Sequence, residues 1–387
     1  MILVSRTYWG GMPFWFRKKP EADVESLVLR TEDMRQIRGL YWSNASKANA
    51  KPRVGVVVMH PRVDFTHHYA VPRLVEAGFG VLAANTRWFG NETMAEHEDM
   101  VTDLAACVRY LREKRGVEKV VVLGNCGGAS LSAYYQAEKK GADGMVYVAA
   151  HRGQGKVLEA CIDPSVTDEN DVMSVDASID MYDAKNGFAE PPAWSKYDDA
   201  FLTRYRAAQR ARVEKLDARA RELIARREAA PDMSRAKAAE TVMVVYRTMA
   251  NPAFVDRSID PSERDYGSLL SERPDLMNYA ALGLARTVTP RAWLSTWSGV
   301  SSKADLVANV ARIGPETPTL LVHAGRDREV FPSDLRAIAD AITAKDKTVT
   351  TIEGARHYFE PDFGEKEAPH VEKLMDVMVP WIQERFG

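Results

Sequence analysis

Six short runs of apolar, mostly β-branched residues recur along the chain: Val54–Met59, Val81–Ala84, Val120–Leu123, Met145–Ala149, Thr319–His323 and Thr348–Ile352. They show little polar alternation, which is the pattern of strands covered on both faces, as in the middle of a parallel sheet. Helical patterns fall between them at Val71–Ala77, Met94–Arg115, Ala129–Lys140, Ser333–Thr343 and Val371–Phe386. Strands alternating with helices predict the α/β class, with a doubly wound, mostly parallel sheet. Leu27–Arg30 and Ile37–Tyr41 precede the series and read as an antiparallel edge pair.

The alternation breaks once, after Met145–Ala149, the sixth strand when the edge pair is counted. Residues 154–315 hold no strand of this kind and are mostly helical or loop-like. Asp198–Ala230 is a charged helix pattern with Phe201, Tyr205, Val213, Leu216, Leu223 and Ile224 on one face, ended by Pro231. Arg235–Met249 reads as a second helix, stopped by Asn251-Pro252. The expected organisation is a catalytic core of residues 1–153 and 316–387, with residues 154–315 as a helical cap over the strand ends, where open α/β sheets bind ligands.

Strand Val120–Leu123 runs into Gly124-Asn125-Cys126-Gly127-Gly128, and a helix follows at once. This is G-x-C-x-G, the spacing that projects a nucleophile above a sheet from a sharp strand-to-helix turn. With 24 glycines and three cysteines in 387 residues, chance supplies only about 0.01 such matches. A helix N-terminus favours an anion, so a thiol placed there is drawn toward thiolate. Cys126 is therefore the expected nucleophile. Cys107 sits in an apolar helix stripe with Leu104 and Leu111 and is expected in the core, and Cys161 is expected to pack.

A nucleophile needs a base, and the base an orienting acid. Strand Thr319–His323 leads to Asp327, with Glu329 and Asp334 as alternative acids; strand Thr348–Ile352 leads to His357. Parallel strands end on one side, so all three groups are expected at one sheet edge.

On these motifs, together with His60-Pro61 after the first central strand, the chain resembles the α/β-hydrolase superfamily, whose chain order is nucleophile, acid, histidine. A cysteine at the elbow resembles dienelactone hydrolases and polyhydroxyalkanoate synthases. The resemblance implies an α/β-hydrolase fold and a Cys126–His357–Asp327 triad. It implies an oxyanion hole with the Gly127 N–H as first donor. Pro61 has no N–H, so the second donor is expected from Arg62 or Val63. The expected reaction is hydrolysis of an ester, lactone or thioester of a small to medium apolar or aromatic acyl compound. The rivals are acyl transfer to an alcohol, thiol or polyester chain, and non-catalytic binding on the same fold.

Other residues are weighed by position. His67 and His68 follow the oxyanion loop, Trp88 overhangs the next strand end, and His151-Arg152 leads into the insertion, so these five are candidate pocket residues. Adjacent histidines lack metal-ligand spacing, and neither a metal nor another cofactor is expected. The arginines of the long charged helix, Arg204 to Arg221, read as a solvated face. With 52 basic and 54 acidic residues, the net charge of −2 gives no support for nucleic-acid binding. Met1–Val4 is too short for a signal-peptide core and no apolar run reaches membrane-span length. Three cysteines form no disulfide framework. The expected setting is cytoplasmic, with a small molecule as partner and at most a second copy of the chain.

Overall fold

The computed structural model describes residues 20–44, 51–362, 364–365 and 367–387, so the Met1–Val4 run lies outside the described residues. The strands are β1 (Ala22–Arg30), β2 (Gln36–Asn44), β3 (Val54–His60), β4 (Gly80–Asn85), β5 (Lys119–Asn125), β6 (Gly144–Val148), β7 (Met243–Val244), β8 (Thr287–Val288), β9 (Thr319–Ala324) and β10 (Lys347–Ile352). Eight of them form one sheet in the order β1-β2-β4-β3-β5-β6-β9-β10. β1 and β2 pair antiparallel from Ala22↔Asn44 to Arg30↔Gln36, and β2 joins β4 antiparallel. Every other pairing in this sheet is parallel.

The reason lies in the runs themselves. Every residue of β3, VGVVVMH, is buried, and β6 is buried throughout. A strand with two apolar faces needs cover on both, which crossover helices supply. The helices of the sheet unit include α1 (Val71–Glu76), α2 (His97–Tyr110) and α3 (Gly127–Lys139), with Pro332–Ala341 and Pro369–Phe386 later in the chain, and those of the insertion begin with α4 (Gln154–Cys161) and α5 (Asp199–Glu228). The chain winds from β3 outward to β4, then returns to β5 and continues the other way. The crevice at that switch point, between β3 and β5, is where open α/β sheets hold ligands.

The chain divides into two compact units. Among the described residues, one takes in the chain up to Gly90, His97–Gly153 and Leu306–Gly387; the other takes in Asn91–Glu96 and Gln154–Asp305. Helix α2 begins at His97 rather than near Met94, because Ala95 is extended, and its first turn then carries Glu98 and Asp99 against the helix dipole. Leu306–Val310 is a short helix of the sheet unit.

In the inserted unit α5 runs as the pattern predicts, started by the Asp198 side chain, which accepts the Phe201 N–H at 2.6 Å. Its buried face includes Phe201, Tyr205, Val213 and Leu216. Two expectations change. Arg235–Met249 is helical only over Arg235–Ala238; its β-branched tail pairs instead, Met243↔Val288 and Val244↔Thr287. Arg212 is not on the solvated face: it is buried and forms a two-pronged pair with Glu169 at 2.9 and 2.7 Å. Arg204, Arg210, Lys215, Arg219 and Arg221 do face solvent. No described helix is long and apolar enough to cross a membrane.

Candidate active site

β5 ends at Asn125 and α3 begins at Gly127, so Cys126 alone makes the turn, with φ 55° and ψ −126°. A side chain at positive φ is strained, and such strain persists where the surroundings enforce it. Here the surroundings are close. A Cβ on Gly124 would lie 2.6 Å from Ala129 Cα, and one on Gly128 would lie 2.5 Å from the Met59 carbonyl oxygen. Only glycine lets α3 fold back on its strand this tightly.

Hydrogen bonds pin the turn. The Cys126 N–H donates to Val148 O at 3.0 Å, and the Ala129 N–H donates to Cys126 O at 3.1 Å. Asn125 donates from Nδ2 to Val148 O at 2.9 Å; its Oδ1 accepts from the Tyr69 hydroxyl at 3.1 Å and lies 3.2 Å from His68 Nε2. His68, expected at the pocket entrance, is thus buried behind the elbow. Tyr69 and Asn125 are residues that sequence reasoning missed; their contact joins positions 56 apart, and no local pattern signals it.

Asp327 and His357 meet as expected. Asp327 Oδ2 accepts from His357 Nδ1 at 2.7 Å, and Asp327 Oδ1 accepts the N–H groups of Glu329 and Val330 at 2.8 and 3.1 Å. Burial pushes the Asp327 carboxyl up, but His357 and those backbone donors bring it below the ordinary value. Burial likewise opposes a charged His357, yet Asp327 and Cys126 together hold the ring well above its ordinary value. The other ring nitrogen, Nε2, is buried and has no well-formed hydrogen bond in the resting structure. Asp334, an alternative acid, instead accepts the Phe331 N–H at 3.0 Å as a helix cap.

The amides expected to supply the second oxyanion donor already have an acceptor. The N–H groups of Arg62 and Val63 both donate to His60 Nδ1, at 3.0 and 2.8 Å. The imidazole of the strand's last residue folds over its own loop and takes the two amides that follow Pro61.

Glu329, the other alternative acid, has a different place. Cys126, His151 and Glu329 each have a ligand-type atom within 4.8 Å of the others. Burial raises the Glu329 carboxyl, and burial with the nearby His357 and Arg62 lowers His151 to about 3. The spacing would suit a metal, but the chemistry of the donors does not. His151 Nδ1 accepts the Gly153 N–H at 3.0 Å, so that lone pair is used and the ring proton sits on Nε2. A metal-binding histidine donates its second nitrogen to an acceptor, the reverse of this arrangement.

The remaining candidates are dispersed. His67 is exposed and lies edge-on to Trp42, with ring centroids 5.5 Å apart. Trp88 and Arg152 are half-buried. Cys107 and Cys161 are buried and, like Cys126, form no disulfide.

The profile of a protein family described as having the α/β-hydrolase fold matches residues 62–360. No curated protein matches the chain. Among solved structures, the Pseudomonas aeruginosa hypothetical protein PA2218 aligns over 100% of this chain and 99% of its own, with 14% identity and a TM-score of 0.57. DcsB, solved in complex with its substrate analogue, aligns over 94% of this chain and 100% of its own, with 13% identity and a TM-score of 0.53. Brefeldin A esterase, a bacterial homologue of human hormone-sensitive lipase, aligns over 95% of this chain and 78% of its own, with 12% identity and a TM-score of 0.52. At such identities the likeness is one of fold.

Proposed function

Because the chain belongs to the α/β-hydrolase fold family, we propose that it is a hydrolase that cleaves an ester, lactone or thioester through a covalent acyl-cysteine. The observation that carries this reading is the strained Cys126, alone between β5 and α3, at the sheet edge that also holds the Asp327–His357 pair. His357 takes the Cys126 proton, and the sulfur attacks the substrate carbonyl. Asp327 keeps the ring proton on Nδ1, so that Nε2 faces the nucleophile as base.

The oxyanion that develops meets the Gly127 N–H. As the first residue of α3, Gly127 has no intrahelical acceptor for that group. One such donor contributes about 3 kcal/mol to a transition state. His357 then activates water, which releases the acid. A thiolate expels alkoxides and thiolates more readily than amines, which favours esters, lactones and thioesters over peptides.

Selectivity for a small to medium apolar or aromatic acyl group is proposed to reside in the inserted unit, the candidate cap, since the fold alone names no substrate. Three cysteines with no disulfide among them support a reducing, cytoplasmic setting. Cys126→Ala and His357→Ala test the reading: each removes turnover of a short-chain activated ester. Turnover that survives both substitutions contradicts it.

A further inference from the structure

The two strands that flank the nucleophile strand end alike. β3 and β6 are the neighbours of β5. His60 is the last residue of β3, and His151 follows β6 by way of Ala149, itself at φ 43°. In each histidine Nδ1 accepts the backbone N–H two positions on: Arg62 at 3.0 Å for His60, Gly153 at 3.0 Å for His151. A ring whose Nδ1 accepts carries its proton on Nε2. Both Nε2 atoms are buried without a hydrogen-bond partner among the described residues, and both histidines are 1% exposed. Burial, with the charges of Arg62 and His357 nearby, keeps both rings from ionising near neutrality.

The His151 ring lies at the elbow, and the backbone of His60 packs on it. A nitrogen of His151 is within 4.8 Å of the Cys126 sulfur. The end of β3 packs directly on the turn, since a Cβ on Gly128 would lie 3.7 Å from His60 Cα. A neutral N–H donor therefore follows the end of each strand that flanks the nucleophile strand, in a site whose loop amides at Arg62 and Val63 are already engaged.

We propose that His60 and His151 are the side-chain hydrogen-bond donors of the acyl site, giving their Nε2–H groups to the oxygens that gain negative charge at the acyl carbon. The inference rests on the acyl-cysteine reading above. The sulfur bonds to the carbonyl carbon and the C=O π pair moves onto oxygen, which becomes the oxyanion. That pair then re-forms C=O as the bond to the leaving oxygen or sulfur breaks, and the leaving atom takes the proton held by His357. An ester carbon presents two such atoms, and a donor follows the strand on each side of β5. His60 and His151 keep their protons throughout. These donors are neutral and fixed before substrate arrives, which is when such groups stabilise a transition state most.

The test compares two reactions of the same sulfur in the full-length protein. Acylation by p-nitrophenyl acetate, read as the initial burst of p-nitrophenol, develops an oxyanion; alkylation by iodoacetamide, read by mass spectrometry, does not. His60→Leu and His151→Leu are expected to slow acylation by about 10²–10³-fold each and to leave alkylation unchanged. His151→Gln, which retains an N–H donor, restores much of the acylation rate. Unaltered acylation in the Leu variants overturns the proposal, and so does a parallel loss of both reactions, which marks a structural role only. If His60→Leu does not fold, His151→Leu and His151→Gln decide the matter. Failure of the wild-type protein to acylate at Cys126 rejects the acyl-cysteine reading itself.

Discussion

His357 Nδ1 lies 2.7 Å from Asp327 Oδ2, with both residues 1% exposed. A buried carboxylate with two backbone donors on its other oxygen has one geometry in which to hold the ring, and that geometry sets the tautomer. Asp327→Asn keeps the shape and removes the charge. It is expected to lower kcat by about 10³–10⁴-fold with a far smaller change in KM. Steady-state kinetics on an activated ester measure both; an equal rise in KM with kcat unchanged argues against an orienting role.

The elbow stores strain that a glycine would release. Cys126 has φ 55°, a region that costs an L-residue more than glycine. Cys126→Gly and Cys126→Ala are both expected to be inactive, with the glycine variant more stable by about 1 kcal/mol. Urea unfolding of the two proteins gives the difference. A more stable alanine variant contradicts the strained turn.

Stability should depend on pH through the buried histidines. His151 has a folded pKa of about 3, below the ordinary 6.5. Between those values the unfolded chain binds a proton that the folded ring refuses. Stability therefore falls as pH falls through this window, by at most ~1.4 kcal/mol per pH unit. His357 acts in the opposite sense: its folded pKa is raised, so its contribution is fully present below its unfolded value and is lost as pH rises through the folded one. Melting temperatures of wild type and His151→Gln, followed from about pH 7 to about pH 5, should shift in favour of the variant. A constant gap between them contradicts the neutral buried ring.

The inserted unit has its own buried charge pair. Arg247 and Asp163 meet at 3.0 and 2.7 Å, both fully buried, and Asn278 donates to the same carboxylate at 2.7 Å. Arg247→Met leaves that carboxylate uncompensated and is expected to destabilise by about 3–5 kcal/mol. The double variant Arg247→Met, Asp163→Leu should recover part of the loss, as read by denaturant midpoint.

The β-branched runs made the sheet legible because the central ones, β3 and β6 above all, lack polar alternation over their whole length. The elbow was legible because Gly124 and Gly128 are both needed for close approach. The order Cys126, Asp327, His357 then marked the triad candidates. What stayed hidden depends on partners distant in sequence. The β-branched tail after Ala238 resembled a helix until its partner strand at Thr287–Val288 was known. Arg212 looked solvated because Glu169 lies 43 residues away. The turn of the Arg62 and Val63 amides to the ring of His60 likewise has no signature in the sequence. His151 and Glu329 were both candidates for this sheet edge, but their approach to the sulfur within 4.8 Å joins loops after two different strands, and no spacing in the chain encodes that distance.

Mass spectrometry of the intact protein, and then of its peptides, after mixing with an activated thioester and quenching in acid tests the central claim most directly. The account predicts one added acyl mass, located on Cys126, that builds up before steady state and disappears as product forms. Turnover with no adduct, or an adduct on a different residue, contradicts it.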